Sequence, residues 1–157
     1  MFKKILICLD GSHLAEQILP YAIEQATRFN ARLLLLQVIT VPSTAAVAAV
    51  PEAGVPTFTA PMIEEQIRAK ESDAIAYLQG AAQQLRSKGL QVELAILQGV
   101  PGETIVRYAE KNEIDLIAIA THGHSGLGRL VFGSVADHVL RHSGLPVLVI
   151  KPKAIRA

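Results

Sequence analysis

Cysteine is scarce in this chain of 157 residues, which contains only one, Cys8. A single cysteine excludes an intramolecular disulfide framework and leaves no CxxC pair for zinc or redox chemistry. This cysteine usage is typical of a reducing compartment, so we expect a cytoplasmic protein. Cys8 stands inside an apolar run, which predicts an inert core thiol rather than a nucleophile.

An excess of charge of one sign is also absent. Lys and Arg total 15 against 14 for Asp and Glu, so the chain has no basic field to hold a nucleic acid backbone. Only 18% of the residues are charged and half are apolar, which excludes intrinsic disorder. We therefore expect one domain over residues 1–157 with one hydrophobic core, and no nucleic acid partner.

Long hydrophobic runs are missing as well. The first run, Ile5–Leu9, stops at Asp10 after five residues. A signal peptide needs an apolar stretch of about 7–15 residues. A membrane-spanning helix needs about 20. Charged residues, Pro or Gly break every other candidate, so the sequence predicts no insertion into a membrane.

Short apolar runs alternate with helical patterns along the chain. Before each later run, apolar residues recur at three- and four-residue spacing, and Pro20 inside the first helical pattern predicts a kink or a locally broken turn there. This alternation predicts a single open, mostly parallel five-stranded α/β sheet with helices on both faces and the third strand at an edge. The predicted strands are Ile5–Leu9, Leu33–Ile39, Val92–Ile96, Leu116–Ala120 and Val147–Ile150.

Between residues 40 and 61 the pattern is interrupted by four prolines among Ala, Val, Thr and Gly. Such a segment does not sustain regular structure, and the sequence predicts a long apolar loop. Loops of this length in compact domains are commonly lids, contact surfaces or disordered segments, and the sequence does not choose between these.

Glycines at 123, 126, 128 and 133 follow the fourth strand and precede a helix that begins near Ser134. Ser134 to Asp137 resembles a capping box. In open α/β sheets ligands bind beyond the carboxyl ends of the strands, and glycines before a helix N-terminus favour phosphate. The spacing matches neither GxGxxG nor GxxxxGK[ST], which argues against a Rossmann dinucleotide site or a P-loop.

Gly123 followed after nine residues by Gly133-Ser134 does fit another pattern. The chain resembles the nucleotide-binding branch of the universal stress proteins, with G-x2-G-x9-G-[ST] in which Ala120 replaces the first glycine. The similarity extends from Lys4 to Lys151. It implies a Rossmann-like fold of the adenine nucleotide α hydrolase type that binds ATP, alone or with Mg²⁺.

The resemblance also implies roles for individual residues. Leu9 would form part of an apolar wall of the site. Asp10 would lie near the ribose and phosphates and contact Mg²⁺ brought in by ATP. The backbone of Val38 would recognise adenine. The remaining implied contacts are Ala120, His122 and Gly123 at ribose and phosphate, and Gly133, Ser134 and Val135 at the phosphate-binding helix start.

Two further residues of the glycine segment, Gly126 and Arg129, are candidate phosphate contacts on their chemistry alone. Asp10 before Gly-Ser is equally typical of a turn residue that accepts from a backbone amide two positions on. His122 and His124, two residues apart, do not predict a metal site, since no cysteine or carboxylate stands beside them.

No GxSxG elbow or other nucleophilic triad is present in the sequence. The sequence therefore predicts a regulatory protein that acts through nucleotide occupancy and its surface for partners, rather than an enzyme. Two alternatives remain open. One is a slow ATPase in which His122 or Asp10 positions water or metal; the other is a ligand-free interaction protein of the same fold.

The last strand, Val147–Ile150, is short and apolar, and no later strand follows to cover its outer edge. An uncovered apolar edge favours pairing with another chain, so we expect a homodimer with this strand antiparallel to its copy. The resemblance implies the same dimer. The alternative is that the tail after Ile150 folds back over the edge.

Overall fold

The computed structural model describes residues 1–41, 59–121 and 133–153. Its strands are all parallel and form one sheet in the order β3-β2-β1-β4-β5. The elements in chain order are β1 Lys4–Leu9, α1 His13–Glu16, α2 Leu19–Phe29, β2 Arg32–Ile39, α3 Ala60–Ser87, β3 Val92–Gln98, α4 Pro101–Lys111, β4 Leu116–Ala120, α5 Ser134–His142 and β5 Val147–Ile150.

The strand order reverses at β1. The chain adds β2 and β3 on one side of β1, then returns to add β4 and β5 on the other. Successive loops therefore leave the carboxyl ends of β1 and β4 in opposite directions and open a crevice there. The predicted parallel α/β sheet is confirmed, and β3 lies at one edge as its half-polar alternation predicts.

Side-chain alternation along the strands builds two cores, one on each face, and not the single core expected from the chain length. On one face Ile5, Ile7 and Leu35 are fully buried against α1, α2 and α3. On the other face Leu6 and Leu36 pack against α4 and α5. Burying an Ile or Leu side chain stabilises the fold by about 1.5–3 kcal/mol, so both faces of the central strands hold the helices in place.

The first helical region is broken near Pro20, which is one of the two outcomes that the sequence predicted. It forms two helices, since α1 ends at Glu16 and α2 begins at Leu19 with Pro20 in its first turn. Proline is tolerated there because the first amides of a helix have no intrahelical partner. The expected cap is present, because Ser12 Oγ accepts from the Ala15 amide at 3.1 Å.

Two predicted boundaries also change. Pro61 belongs to the first turn of α3, which begins at Ala60, so the predicted loop ends earlier; residues 42–58 lie outside the described residues. The prediction of a capping box at Ser134 is wrong. The N-cap of α5 is Gly133, with no side-chain capping bond, and Ser134 is the first helical residue.

The amino ends of β1 and β4 are tied together by Asp115. Its Oδ2 accepts from the Lys3 amide at 2.8 Å and from the Lys4 amide at 2.9 Å. These backbone hydrogen bonds lower the pKa of Asp115. The contact lies at the end of the sheet opposite the crevice.

No helix within the described ranges is both long and apolar enough to cross a membrane.

Candidate functional site

A cavity of about 270 Å³, here called the crevice, opens at the point where the strand order reverses. It lies at the carboxyl ends of β1, β2 and β4, and side chains from both cores line it. The residues that line it are Cys8, Leu9, Asp10, Ala15, Leu36, Val38, Thr40, Pro101, Ile105, Ile119, Ala120 and Val135.

The structure brings together five of the residues that the sequence singled out. Leu9, Asp10, Val38, Ala120 and Val135 come from four different elements and the β1–α1 turn, yet all line the crevice. Gly133 and Ser134 directly precede Val135 at the start of α5. The other candidates, His122, Gly123, Gly126 and Arg129, lie outside the described residues.

The crevice walls are largely apolar, and sequence reasoning missed part of them. Pro101 and Ile105 from the first turns of α4 line the crevice, as does Thr40 after β2. The Pro-Gly pair at 101–102 marked a helix start, but nothing in the sequence said that this helix would border the crevice. That placement depends on the crossover from β3 over β2, which only the fold decides.

Asp10 is both a turn residue and a residue of the crevice wall, the two interpretations that its sequence context allows. Its Oδ1 accepts from the Ser12 amide at 2.9 Å, as in an ordinary Asx turn, and Gly11 takes a φ of +85° to make that turn. The same turn leaves the exposed carboxylate on the crevice wall. The turn therefore fixes the side chain at the mouth.

The backbone of Val38 is directed past the end of β1. Arg32 N–H donates to the Lys3 carbonyl at 2.9 Å, so the even-numbered residues of β2 point their backbone groups toward β1. The last β1 residue, Leu9, is opposite Gln37. The Val38 carbonyl thus lies beyond the last β1 pair.

The N-terminus of α5 brings amide donors to the crevice. Gly133 as N-cap contributes no side-chain acceptor to the amides of the first turn, whereas Ser12 caps α1 through its hydroxyl. Asp137 in this turn would repel an anion, but Arg141 holds its carboxylate at 2.9 Å. A helix N-terminus favours phosphate because its first amides have no partner within the helix.

Cys8 lies at the floor of the crevice and is buried. Burial raises the pKa of its thiol to about 12, so the predicted inert core thiol agrees with its surroundings. Among the described residues no group of three or more His, Cys, Asp or Glu side chains could hold a metal ion.

An open parallel sheet with a crevice where its winding reverses, and a helix N-terminus at its wall, defines the doubly wound class of α/β ligand-binding proteins. Within that class, this chain belongs to the universal stress protein family, whose model matches residues 1–151. Universal stress protein MJ0531 of Methanocaldococcus jannaschii is 32% identical over 152 residues, which cover 96% of this chain and 83% of that protein. The resemblance drawn from the sequence is thereby confirmed.

Solved structures agree on the fold. MJ0577, also from Methanocaldococcus jannaschii, matches with a TM-score of 0.79 at 28% identity over 99% of both chains. A universal stress protein in complex with cAMP matches with a TM-score of 0.66 at 21% identity over 97% of this chain and 98% of that one. An Arabidopsis thaliana family protein with AMP bound matches at 0.65 and 19%, over 97% and 93%. The last two likenesses show the fold alone.

Proposed function

We propose that this chain binds an adenine nucleotide, with ATP as its principal ligand, in the crevice, and that it acts as a regulatory protein of the stress response. The observation that carries the proposal is the meeting of Leu9, Asp10, Val38, Ala120 and Val135 around one cavity at the switch point. Two proteins of the same fold hold cAMP and AMP, which supports an adenine ligand.

The residues present fit the parts of an adenine nucleotide. Apolar side chains from Leu9, Pro101 and Ile105 suit the faces of a base, and the Val38 carbonyl suits its exocyclic amine. A cavity of about 270 Å³ is small beside ligand pockets, which run to about 300–1,000 Å³. It would hold the nucleoside and leave the phosphates at the N-terminus of α5.

Asp10 is the residue that would meet Mg²⁺ carried in by ATP, since its carboxylate stands at the crevice mouth. A bound Mg²⁺ would neutralise phosphate charge next to that carboxylate. Hydrolysis would need in addition a general base aligned with water. We therefore propose that the protein acts by binding nucleotide and not by hydrolysing it. Nucleotide in the crevice would alter the surface that a protein partner contacts.

Titration calorimetry with ATP, ADP and AMP tests the proposal. We expect heat and a rise in Tm with ATP, with weaker binding as phosphates are removed from the α5 end. Absence of both signals at millimolar ATP would favour the ligand-free interaction protein. Phosphate release that disappears in an Asp10→Ala variant still able to bind ATP would favour the slow ATPase.

We also propose a homodimer through β5. The Pro146 carbonyl accepts from the Ile117 amide of β4, and the Ile150 carbonyl accepts from the Thr121 amide just after it. The alternate residues Val147 and Val149 therefore point their backbone groups to the outer edge. In the described part of the chain no strand pairs with that edge, and the tail instead reaches Gln17, whose side chain exchanges two hydrogen bonds with Lys153 at 2.8 and 2.9 Å.

Light scattering tests the dimer. Val149→Pro removes an outward amide without touching the ladder to β4, and we expect it to yield monomer. Val149→Thr keeps the amide and the branched shape, so that variant should stay dimeric. A monomeric parent protein at micromolar concentration, or a proline variant that remains dimeric, would contradict this interface.

A further inference from the structure

Two histidines lie one turn apart on α5, outside the crevice. His138 and His142 are four residues apart, and their rings stack with centroids 4.2 Å apart and planes 25° from parallel. Residues four apart share one face of a helix, and two histidines at this spacing can bind one metal ion. The stacking shows that α5 brings these two rings into contact.

A hydrogen bond fixes which nitrogen of His142 is free. Its Nδ1 lies 2.8 Å from the carbonyl oxygen of His138. A carbonyl oxygen only accepts, so Nδ1 carries the proton and donates, and the lone pair of the neutral ring is at Nε2. Histidines that bind metals commonly donate their other ring nitrogen to a backbone carbonyl, which holds the ring in place. The hydrogen bond of His142 is therefore typical of a metal ligand.

His138 is held in position by α4. It is half-buried, and a Cβ added at Gly102 would lie 2.8 Å from its Cβ and Cγ and 3.0 Å from its Cδ2. The ring therefore packs directly on the backbone of α4. His142 is exposed, so its ring can tilt toward an ion that His138 binds. One fixed donor and one movable donor suit the capture of an ion from solvent.

The separation of the rings fits one metal ion. Imidazole nitrogens bind zinc at about 2.0–2.1 Å, so two of them on one ion lie about 3–4 Å apart. The ring centroids are 4.2 Å apart, and a tilt of His142 closes the difference. Arg141, the neighbouring cation, is paired with Asp137, its Nε lying 3.0 Å from Oδ1 and 2.9 Å from Oδ2. That pairing reduces the repulsion that Arg141 exerts on a metal ion.

We propose that His138 and His142 form a chelate for a divalent transition-metal ion, with water in its remaining coordination positions. Imidazole suits Zn²⁺, Ni²⁺ and Cu²⁺, and the affinity of such sites is greatest for Cu²⁺. Mg²⁺ prefers oxygen ligands and should not bind this pair. Residues 138 and 142 meet only when the helix is formed, so bound metal stabilises the folded chain.

Metal titrations of chelator-treated protein without nucleotide test the proposal. Zn²⁺ is added to ¹⁵N-labelled protein, and long-range ¹H–¹⁵N spectra report the ring nitrogens of each histidine. We expect the His138 and His142 signals to shift together and the His13 signal to stay unchanged. Cu²⁺ should bind this pair more tightly than Zn²⁺ or Ni²⁺.

Histidine variants separate metal binding from packing. His138→Gln and His142→Gln each leave one donor, so each should weaken Zn²⁺ binding at this site by about tenfold. Because His142 is exposed, its variant should fold as the parent does. His13→Gln, at an exposed position on α1, is the matched control and should keep the parent affinity. Ni²⁺ should raise the urea midpoint of the parent protein more than that of the His142→Gln variant.

Four results would overturn the proposal. The first is no shift of either ring signal at millimolar Zn²⁺, and the second is a shift of one ring without the other. The third is an equal effect of Mg²⁺, and the fourth is parent Zn²⁺ affinity at this site in the His142→Gln variant. Because no nucleotide is present, a failure here leaves the calorimetric test of the crevice unaffected.

Discussion

The two faces of β2 at its carboxyl end differ in chemistry. Val38 presents its side chain to the α4–α5 face, where the crevice is largely apolar and ends at a helix N-terminus. One residue earlier, Gln37 lines a second cavity, of about 440 Å³, against the middle of α3, together with the charged side chains Asp10, Lys70 and Asp73. A strand reverses its side chain at every residue, so a single step along β2 separates an apolar surface from a charged one.

The positions of the helices reinforce this difference. The crevice meets the start of α5, whose amides favour anions, whereas the second cavity meets the middle of α3, where the backbone groups are paired within the helix. Anion binding should therefore be confined to the crevice. The first prediction tests this directly.

The largest expected effect is on nucleotide affinity after Gly133→Leu. Gly133 has a φ of −54°, which any residue adopts, so the backbone should persist while the new side chain obstructs phosphate at the α5 amides. We expect ATP to bind about 100-fold more weakly by calorimetry, with the Tm of the unliganded protein unchanged. Equal ATP affinity in the variant would mean that phosphates do not meet this helix start.

Gly102→Ala should weaken the packing only on the face of the sheet that carries α4 and α5. A Cβ at Gly102 would lie 2.8 Å from Cβ and Cγ of His138, so α4 and α5 must separate. We expect a loss of about 1–3 kcal/mol in the free energy of unfolding, measured with urea, and weaker ATP binding.

The matched control for that change is Gly80→Ala on α3, where no atom lies within 4 Å of the added methyl. Alanine has a higher helix propensity than glycine, so the free energy of unfolding of this variant should rise by about 0.5–1 kcal/mol. A similar loss in both variants would show that the close approach to His138 does not matter.

A smaller effect is expected at the far end of the sheet. Asp115→Asn removes the charge that accepts from the Lys3 and Lys4 amides, and ATP should bind as before. Because the side chain is partly exposed, we expect a loss of about 1 kcal/mol at neutral pH.

This loss should depend on pH in a defined direction. The pKa of Asp115 is lowered on folding from 3.8, so its contribution is present above that value and disappears as pH falls through the lower folded pKa. The Tm difference between parent and variant should therefore be full at pH 7 and shrink below about pH 4. A difference that is the same at pH 7 and pH 3 would contradict the role of the charge.

Much of this architecture follows from local pattern. The apolar runs fix where strands begin and end, and Asp10 and Gly133 follow or precede them at positions that any parallel sheet brings to its carboxyl edge. Pro20 shows the limit of such reasoning, since a proline in an apolar periodicity signals a disruption but does not distinguish a kink from a new helix start. Likewise Ser134 had the residue type of a cap, but the backbone placed the cap one residue earlier.

The sequence by itself determined the strands, the parallel sheet, the family and the candidate residues near the switch point, because these depend on short-range periodicity and on spacing within one segment. Only the tertiary structure decided that Pro101 and Ile105 line the same crevice as Ala120. It also decided that Gln37 and Tyr77, which are 40 residues apart in the chain, line one cavity. Those contacts depend on which strand a helix crosses and on which face it covers. Sequence periodicity shows that a helix has an apolar face, but it does not identify the surface against which that face packs.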